Sequence, residues 1–232
     1  MRIFVAPEQL AAGALIIRGD EHHYVMRVRR ARVGDAVELV DGAGRRAAAV
    51  IARIADVETE LTVDAPSAIA SAAPHIRALI PLIKGDRMDQ CLEKLVEVGC
   101  DEIIVWPAAR AVVKLDADRR ASRLAKFVAA AQAAARQCGR AQVPSVAFAD
   151  SLAAAIAQRS GLCVVLDPTS DAPLDATGAA EVTMVSGPEG GFAPEELDAL
   201  AAFTLVGLGP RVLRAETAPV IATAIVRAQT RT

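Results

Sequence analysis

Glu181-Val182-Thr183-Met184-Val185-Ser186-Gly187-Pro188-Glu189-Gly190-Gly191-Phe192 is the stretch on which the fold turns. Its first half is an apolar run of β-strand length, rich in β-branched residues. Its second half is a loop punctuated by Gly and Pro, and Pro194 shortly after suits the first turn of a helix over Pro194–Phe203. A strand that passes through such a loop into a helix is the repeating unit of a parallel α/β sheet. The same order recurs on both sides. Leu162–Leu166 runs into Asp167-Pro168, and Thr204–Leu208 runs into Gly209-Pro210 before a last helix over Thr217–Gln229.

Further toward the N-terminus the alternation continues. Ile76–Ile83 is a buried-strand run. Asp86–Val98 is a helix with Met88, Leu92, Leu95 and Val96 on one face and Gly99 as its stop. Glu102–Trp106 is a strand closed by Pro107, which makes Trp106 a core residue. Arg119–Cys138 is a long Ala-rich helix, Ser145–Phe148 a strand and Leu152–Gln158 a helix. Residues 74–232 therefore read as an α/β domain with a mostly parallel sheet. The first 70 residues read differently. Arg2–Val5, Gly13–Ile17, Ala36–Val40, Arg46–Ile54 and Glu60–Val63 are short strands separated by turn signals, with one helix over residues 20–31. This is the pattern of a small barrel, 1–70, and Ala65–Pro74 reads as a linker.

Composition supports helices on a sheet: 53% of the 232 residues are apolar but only 3% are aromatic. Four scattered cysteines form no C-x-x-C pair and the three histidines form no metal-spaced pair, so neither a disulfide framework nor a metal is expected. Met1–Pro7 is too brief for a signal peptide, and no apolar run reaches the roughly 18 residues of a membrane span. A cytoplasmic protein is the expectation.

Net charge is −2, yet the charge is unevenly placed. Residues 1–53 hold nine arginines against six acids, and residues 110–142 hold eight basic residues against two acids. Arg27, Arg29, Arg30 and Arg32 repel one another unless an anion sits nearby. Two basic blocks on a mildly acidic chain fit a phosphate footprint as well as solvated surface.

The three loops after the strands, 166–168, 186–192 and 208–214, gather the unusual residues. Ligands of parallel sheets bind outside the carboxyl ends of strands, and glycine lets backbone groups approach them closely. Neither G-x-G-x-x-G nor G-x-x-x-x-G-K-[ST] occurs, which argues against a dinucleotide or triphosphate site. A wall of backbone suits adenine and ribose, although a tight turn before a helix would also account for the glycines.

The chain resembles the bacterial 16S ribosomal RNA (uracil-N3)-methyltransferases of the SPOUT superfamily, essentially end to end. The resemblance is carried by Arg2-Ile3-Phe4; His23 with Val28-Arg29-Arg30 and Gly34-Asp35; Lys84-Gly85-Asp86-Arg87-Met88 with Lys94, Glu97 and Gly99; and Pro107 with Arg110. It continues in Gln137-Cys138-Gly139-Arg140 with Pro144, in Gly187–Phe192, and in Leu208–Ala218. The chain departs from the family at Arg29, Ala111, Ala133 and Arg136, none of them in the Gly-rich loops.

The resemblance implies a trefoil-knotted C-terminal domain, an N-terminal PUA-like barrel that grips RNA, and a homodimer. It implies S-adenosylmethionine as cofactor and 16S ribosomal RNA, naked or in the 30S subunit, as partner. Leu166, Ser186, Gly187, Leu208, Gly209, Val212, Leu213 and Thr217 are the expected cofactor residues. Arg214 is the expected catalytic donor, against a salt bridge to Glu216. Glu189 is either a base or a loop-fixing group. Arg2, Arg30, Arg136 and Arg140 are expected at RNA phosphates, and His23 as a packed barrel residue. Two other readings remain: a SPOUT methyltransferase of tRNA acting on the ribose 2′-oxygen or on guanine, and an inactive RNA-binding assembly factor.

Overall fold

The computed structural model describes residues 1–70, 72–110 and 117–230. Contacts group the chain into two units: the residues before 72 together with Ala135–Val143, and Ala72–Ala134 with Pro144 onward.

In the first unit, β1 (Arg2–Phe4), β2 (Gly13–Arg18), β3 (Ala36–Val40), β4 (Arg45–Ile54), β5 (Glu58–Val63) and β6 (Ser67–Ala68) form one sheet. Its order is β1-β3-β4-β5-β2, with β6 on β4; β1 runs parallel to β3 and the other pairings are antiparallel. Period-2 alternation buries Ala47, Ala49 and Ile51 of β4 against Leu39, Leu61 and Val63. Full burial of a Leu such as Leu39 or Leu61 contributes about 2 kcal/mol.

The expected single helix over 20–31 is corrected. It is α1 (Gly19–His23) followed by a π-helical turn, Tyr24–Val28, which closes with Arg29 N–H donating to Tyr24 O at 2.9 Å. A wider turn shifts the facing of the residues around it. Val25 is fully buried, while Arg27, Val28, Arg29 and Arg30 face water. Arg30 then takes φ = 50°, which ends the helical path. His23 is also corrected, because it is exposed. His22 is the packed histidine, with Nδ1 2.8 Å from Thr59 Oγ1 and Nε2 3.2 Å from Asp56 O.

The second unit is a parallel sheet. Its strands are β7 (His75–Pro81), β8 (Glu102–Trp106), β9 (Ser145–Phe148), β10 (Leu162–Leu166), β11 (Glu181–Ser186) and β12 (Thr204–Val206), in the order β12-β10-β11-β7-β8-β9. All five pairings are parallel. Both faces are covered, as parallel sheets require. On one face, α2 (Asp86–Val98), α3 (Ala117–Cys138) and α6 (Ala218–Gln229) bury Met88, Leu92, Leu95, Phe127, Ala222 and Val226 against Ile76, Ala78 and Ile80. On the other, α4 (Leu152–Ile156) buries Leu152 and Ile156, and the turn that follows α5 (Pro194–Ala199) buries Leu200 and Phe203, against Leu79, Ile104, Trp106 and Val185. Gly99 closes α2 in the left-handed region at φ = 100°.

Several ends are shorter than the sequence suggests, among them the helix expected over Leu152–Gln158, which stops at Ile156, and the strand expected over Ile76–Ile83, which stops at Pro81. The helix that begins at Pro194 stops at Ala199, and its continuation turns so that Phe203 N–H reaches Leu200 O and the ring enters the core. The strand that begins at Thr204 stops at Val206. Gly207 N–H donates instead to Ala172 O at 2.8 Å, and a Cβ at residue 207 would stand 2.0 Å from Ser170 O. Among the described residues no helix is long and apolar enough to cross a membrane, and no cluster of metal-ligating side chains occurs.

Candidate active site

Strand order alone brings the three loops together. β11, β10 and β12 are neighbours in the sheet, so the chain that leaves each of them converges at one edge. The loops enclose a cavity of about 510 Å³, within the size range of small-ligand sites.

The middle loop forms its rigid wall. A Cβ at residue 187 would lie 2.9 Å from Phe192 Cε2, so Gly187 lets the Phe192 ring close over the backbone. Behind Phe192 the fully buried Trp106 stacks at 6.1 Å between centroids and 7° between planes. The buried Glu196 ties down the start of α5, accepting from Ala193 N–H at 2.7 Å and from Ala109 N–H at 2.8 Å. Ser186 lines the cavity, is 2% exposed, and its Oγ has no hydrogen-bond partner among the described residues. A buried hydroxyl left in this state costs about 1–3 kcal/mol, a debt that a polar ligand cancels.

Asp167 opens the first loop. Its Oδ1 accepts from Thr169 N–H and Thr169 Oγ1–H, each at 2.7 Å. The third loop ends by capping α6: Arg214 O accepts from Thr217 N–H at 2.9 Å and from Ala218 N–H at 3.0 Å. The side chains of Arg211 and Arg214 are exposed on the cavity and meet no carboxylate among the described residues.

Leu166, Ser186, Gly187, Glu189, Leu208, Val212, Leu213 and Arg214 all line this cavity. Gly209 and Thr217 do not. Gly209, at φ = 111°, turns the chain out of the strand, and Thr217 stands at the N-terminus of α6, where its carbonyl accepts from Ile221 N–H. Sequence reading left out Asp167, Phe192 and Arg211 as lining residues, although each sits inside a loop it had singled out. Arg214 does not pair with Glu216. Glu216 instead lies 3.7 Å from Arg87 of α2, whose Nη1 also donates to Glu189. Beneath them burial pushes the Cys91 thiol up to about 12, with Cys100 and Glu216 adding to the effect.

The four arginines expected at phosphates all fall in the first unit. Arg2 donates to Glu38 at 2.7 Å and approaches residue 139. Arg136 pairs with Glu21 at 3.2 Å and lies over the Phe4 ring at 5.5 Å. Arg140 is half-buried nearby, its N–H donating to Ala135 O. Arg30 is exposed beside Arg27, Arg29 and Arg32, and none of these four side chains meets a carboxylate among the described residues. Ala111, one of the family departures, lies outside the described residues.

The chain is similar to known proteins over nearly its whole length. A family model described as an RNA methyltransferase domain matches residues 71–227, and one described as an RNA methyltransferase PUA domain matches residues 17–58. The chain is 32% identical to the ribosomal RNA small subunit methyltransferase E of Mycobacterium bovis over 218 residues, covering 89% of this chain and 83% of that one. Against the Bacillus subtilis protein of the same name it is 28% identical, covering 92% and 90%. The solved structure of the Neisseria gonorrhoeae enzyme, bound to S-adenosyl methionine, superimposes with a TM-score of 0.78 at 28% identity, covering 98% and 96%. A Legionella pneumophila methyltransferase in complex with the same cofactor superimposes with a TM-score of 0.80 at 26% identity, also covering 98% and 96%. The chain belongs to the RNA methyltransferase family of the ribosomal RNA small subunit methyltransferases E, in which a parallel α/β domain follows a PUA-like one.

Proposed function

We propose that the chain methylates N3 of a uridine in 16S ribosomal RNA with S-adenosylmethionine as methyl donor. The single observation that carries this reading is the three-loop cavity, with its partnerless Ser186 hydroxyl and its glycine-spaced wall, in a chain of this family.

Leu166, Ser186, Gly187, Leu208, Val212 and Leu213 would hold the cofactor. Their backbone groups would meet its polar edges, and Ser186 Oγ would answer one of its polar atoms. Gly209 and Thr217 act one step away, through the turn and the helix start. When bound, the cofactor supplies a methyl group already activated by a sulfonium, so the chain's own work is positioning and charge. The uracil N3–H lies on the Watson–Crick edge, so the base must be unpaired or splayed out to enter. As that proton leaves, negative charge spreads onto the neighbouring carbonyl oxygens. Arg214, exposed on the cavity with its donors uncommitted, is placed to stabilise it. Glu189 is held by Arg87, which makes loop fixing its role in preference to general base.

The first unit supplies RNA contacts. Arg30, with Arg27, Arg29 and Arg32, offers guanidiniums that no carboxylate neutralises, while Arg2, Arg136 and Arg140 form a second basic group within the same unit. A homodimer and the trefoil threading belong to the same reading. Val212 is 81% exposed and Ile221 is exposed on α6, apolar surface of the kind a second copy covers.

The test is methyl transfer from labelled S-adenosylmethionine to 30S subunits and to naked 16S RNA, followed by nucleoside mass analysis. N3-methyluridine is the expected product. Label on ribose or on guanine would move the chain to the tRNA-type reading, and cofactor binding without transfer to any RNA would favour the assembly factor.

A further inference from the structure

Beside the large cavity lies a second one of about 70 Å³, lined in part by Lys84, Arg87, Arg110 and Glu189. The two share Pro188, Glu189 and Ala215. One water's share of liquid volume is roughly 30 Å³, so the smaller cavity admits a compact group and no nucleoside.

Its charge is lopsided. Lys84, Arg87 and Arg110 face a single lining carboxylate, Glu189. That carboxylate is already claimed by Arg87, which also stands 3.7 Å from Glu216. Lys84 is exposed and has no carboxylate partner among the described residues. Arg110 makes one long hydrogen bond to a backbone carbonyl, Gly190 O, at 3.3 Å. Two cations that meet no carboxylate among the described residues, at the mouth of a small concavity, are stabilised by an oxyanion with several acceptor oxygens.

We infer that this second cavity is a phosphate subsite, in which Lys84 and Arg110 grip a phosphodiester next to the nucleotide being methylated. The inference rests on the RNA-methyltransferase reading above, which supplies the phosphodiester; free phosphate has the same chemistry. Sharing a wall with the larger cavity puts the subsite within one nucleotide's reach of the reacting base. It also gives Lys84 and Arg110 a role that neither the cofactor nor the base contacts require. Arg87 is left to hold the loops.

The experiment uses Lys84→Gln, Arg110→Gln and the double variant in the full chain. A labelled single-stranded fragment of small-subunit RNA is titrated by fluorescence anisotropy at three salt concentrations. S-adenosylmethionine binding is followed by calorimetry, and inorganic phosphate binding by its phosphorus resonance. The double variant is expected to bind RNA about tenfold more weakly at the lowest salt, with the salt dependence shallower by about 0.7, as loss of one phosphate contact on a single strand requires. Cofactor affinity should stay at the wild-type value. Loss of phosphate binding with RNA affinity unchanged would keep an anion site but assign it to free phosphate. Weakened cofactor binding would mean that the anion is the cofactor's own carboxylate, and would overturn the inference. So would RNA affinity, salt slope and phosphate binding that all match wild type. A wild type that binds and methylates RNA while the double variant matches it in RNA and phosphate binding alike sinks the subsite and leaves the functional reading standing. A wild type that methylates no RNA sinks the functional reading, and the phosphate titration then decides the subsite by itself.

Discussion

The two ends of the parallel sheet are built on opposite plans. At the start of the strands the charges are matched. Arg227 of α6 donates to Gly99 O through Nε and Nη2, to Ala72 O and Pro74 O through Nη1, and to Asp101 through Nη2. Asp101 also accepts from Ile76 N–H, and Arg77 pairs with Glu102 at 2.7 Å and donates to Ser160. At the carboxyl ends fewer groups are matched: among the described residues Ser186 Oγ is buried without a hydrogen-bond partner, and Arg211 and Arg214 meet no carboxylate. One end ties its polar groups into the fold; the other leaves several of them exposed on a cavity. The asymmetry follows from the chemistry of parallel sheets, whose carboxyl ends carry the long loops.

The largest effect that would sharpen this contrast is at the closed end. Arg227→Ala strips three backbone carbonyls of their guanidinium donor and Asp101 of its cation at a site only 15% exposed, and should cost about 3 kcal/mol of stability. Denaturant unfolding measures this, and cofactor affinity extrapolated to the folded state should not change. Next comes Arg214→Ala at the open end. If Arg214 is the donor proposed for the developing charge, its removal should lower kcat about a hundredfold. Steady-state methyl transfer checks that, alongside an unfolding midpoint that stays within error of wild type. If the stability loss fell at Arg214 instead, the contrast would be wrong.

Ser186→Ala should move binding and stability in opposite directions. Cofactor affinity falls about fivefold as one hydrogen bond is lost, while the unliganded chain is as stable as wild type or more so, because an unpartnered buried hydroxyl has gone. Calorimetry and unfolding on the same sample separate the two. The smallest effect is at Cys91, just under the open end. With its thiol pushed up to about 12, iodoacetamide at pH 8 should label the exposed Cys138 and leave Cys91 untouched in the folded chain. Labelling of Cys91 would mean that the opening reaches past the loops into the core.

Much of this was legible in the residues themselves. Asp86–Val98 has the bounds that its apolar spacing and Gly99 dictate, and the strands at Glu102–Trp106, Ser145–Phe148 and Leu162–Leu166 follow their apolar runs. Eight of the ten residues expected at the cofactor or in catalysis line the cavity. The exceptions are informative. Gly209 and Thr217 belong to the right loop, but whether a loop residue faces inward depends on turns that its neighbours set. His22 and His23 are adjacent in α1, and only the packing of that helix against Thr59 of β5 distinguishes them.

The sequence by itself determined the order of strands and helices, the Gly/Pro loops after three strands, and the family. These are written in local periodicity and in contiguous motifs. The tertiary structure alone decided which distant residues share a wall. β11, β10 and β12 had to lie side by side before residues 166, 186 and 208 could meet. Residues 135–143 had to group with the first unit before Arg136 and Arg140 could join Arg2. Arg87 had to reach Glu189 and Glu216 before either carboxylate had a role. Such pairings are set by long-range burial and strand order, to which a local pattern is blind.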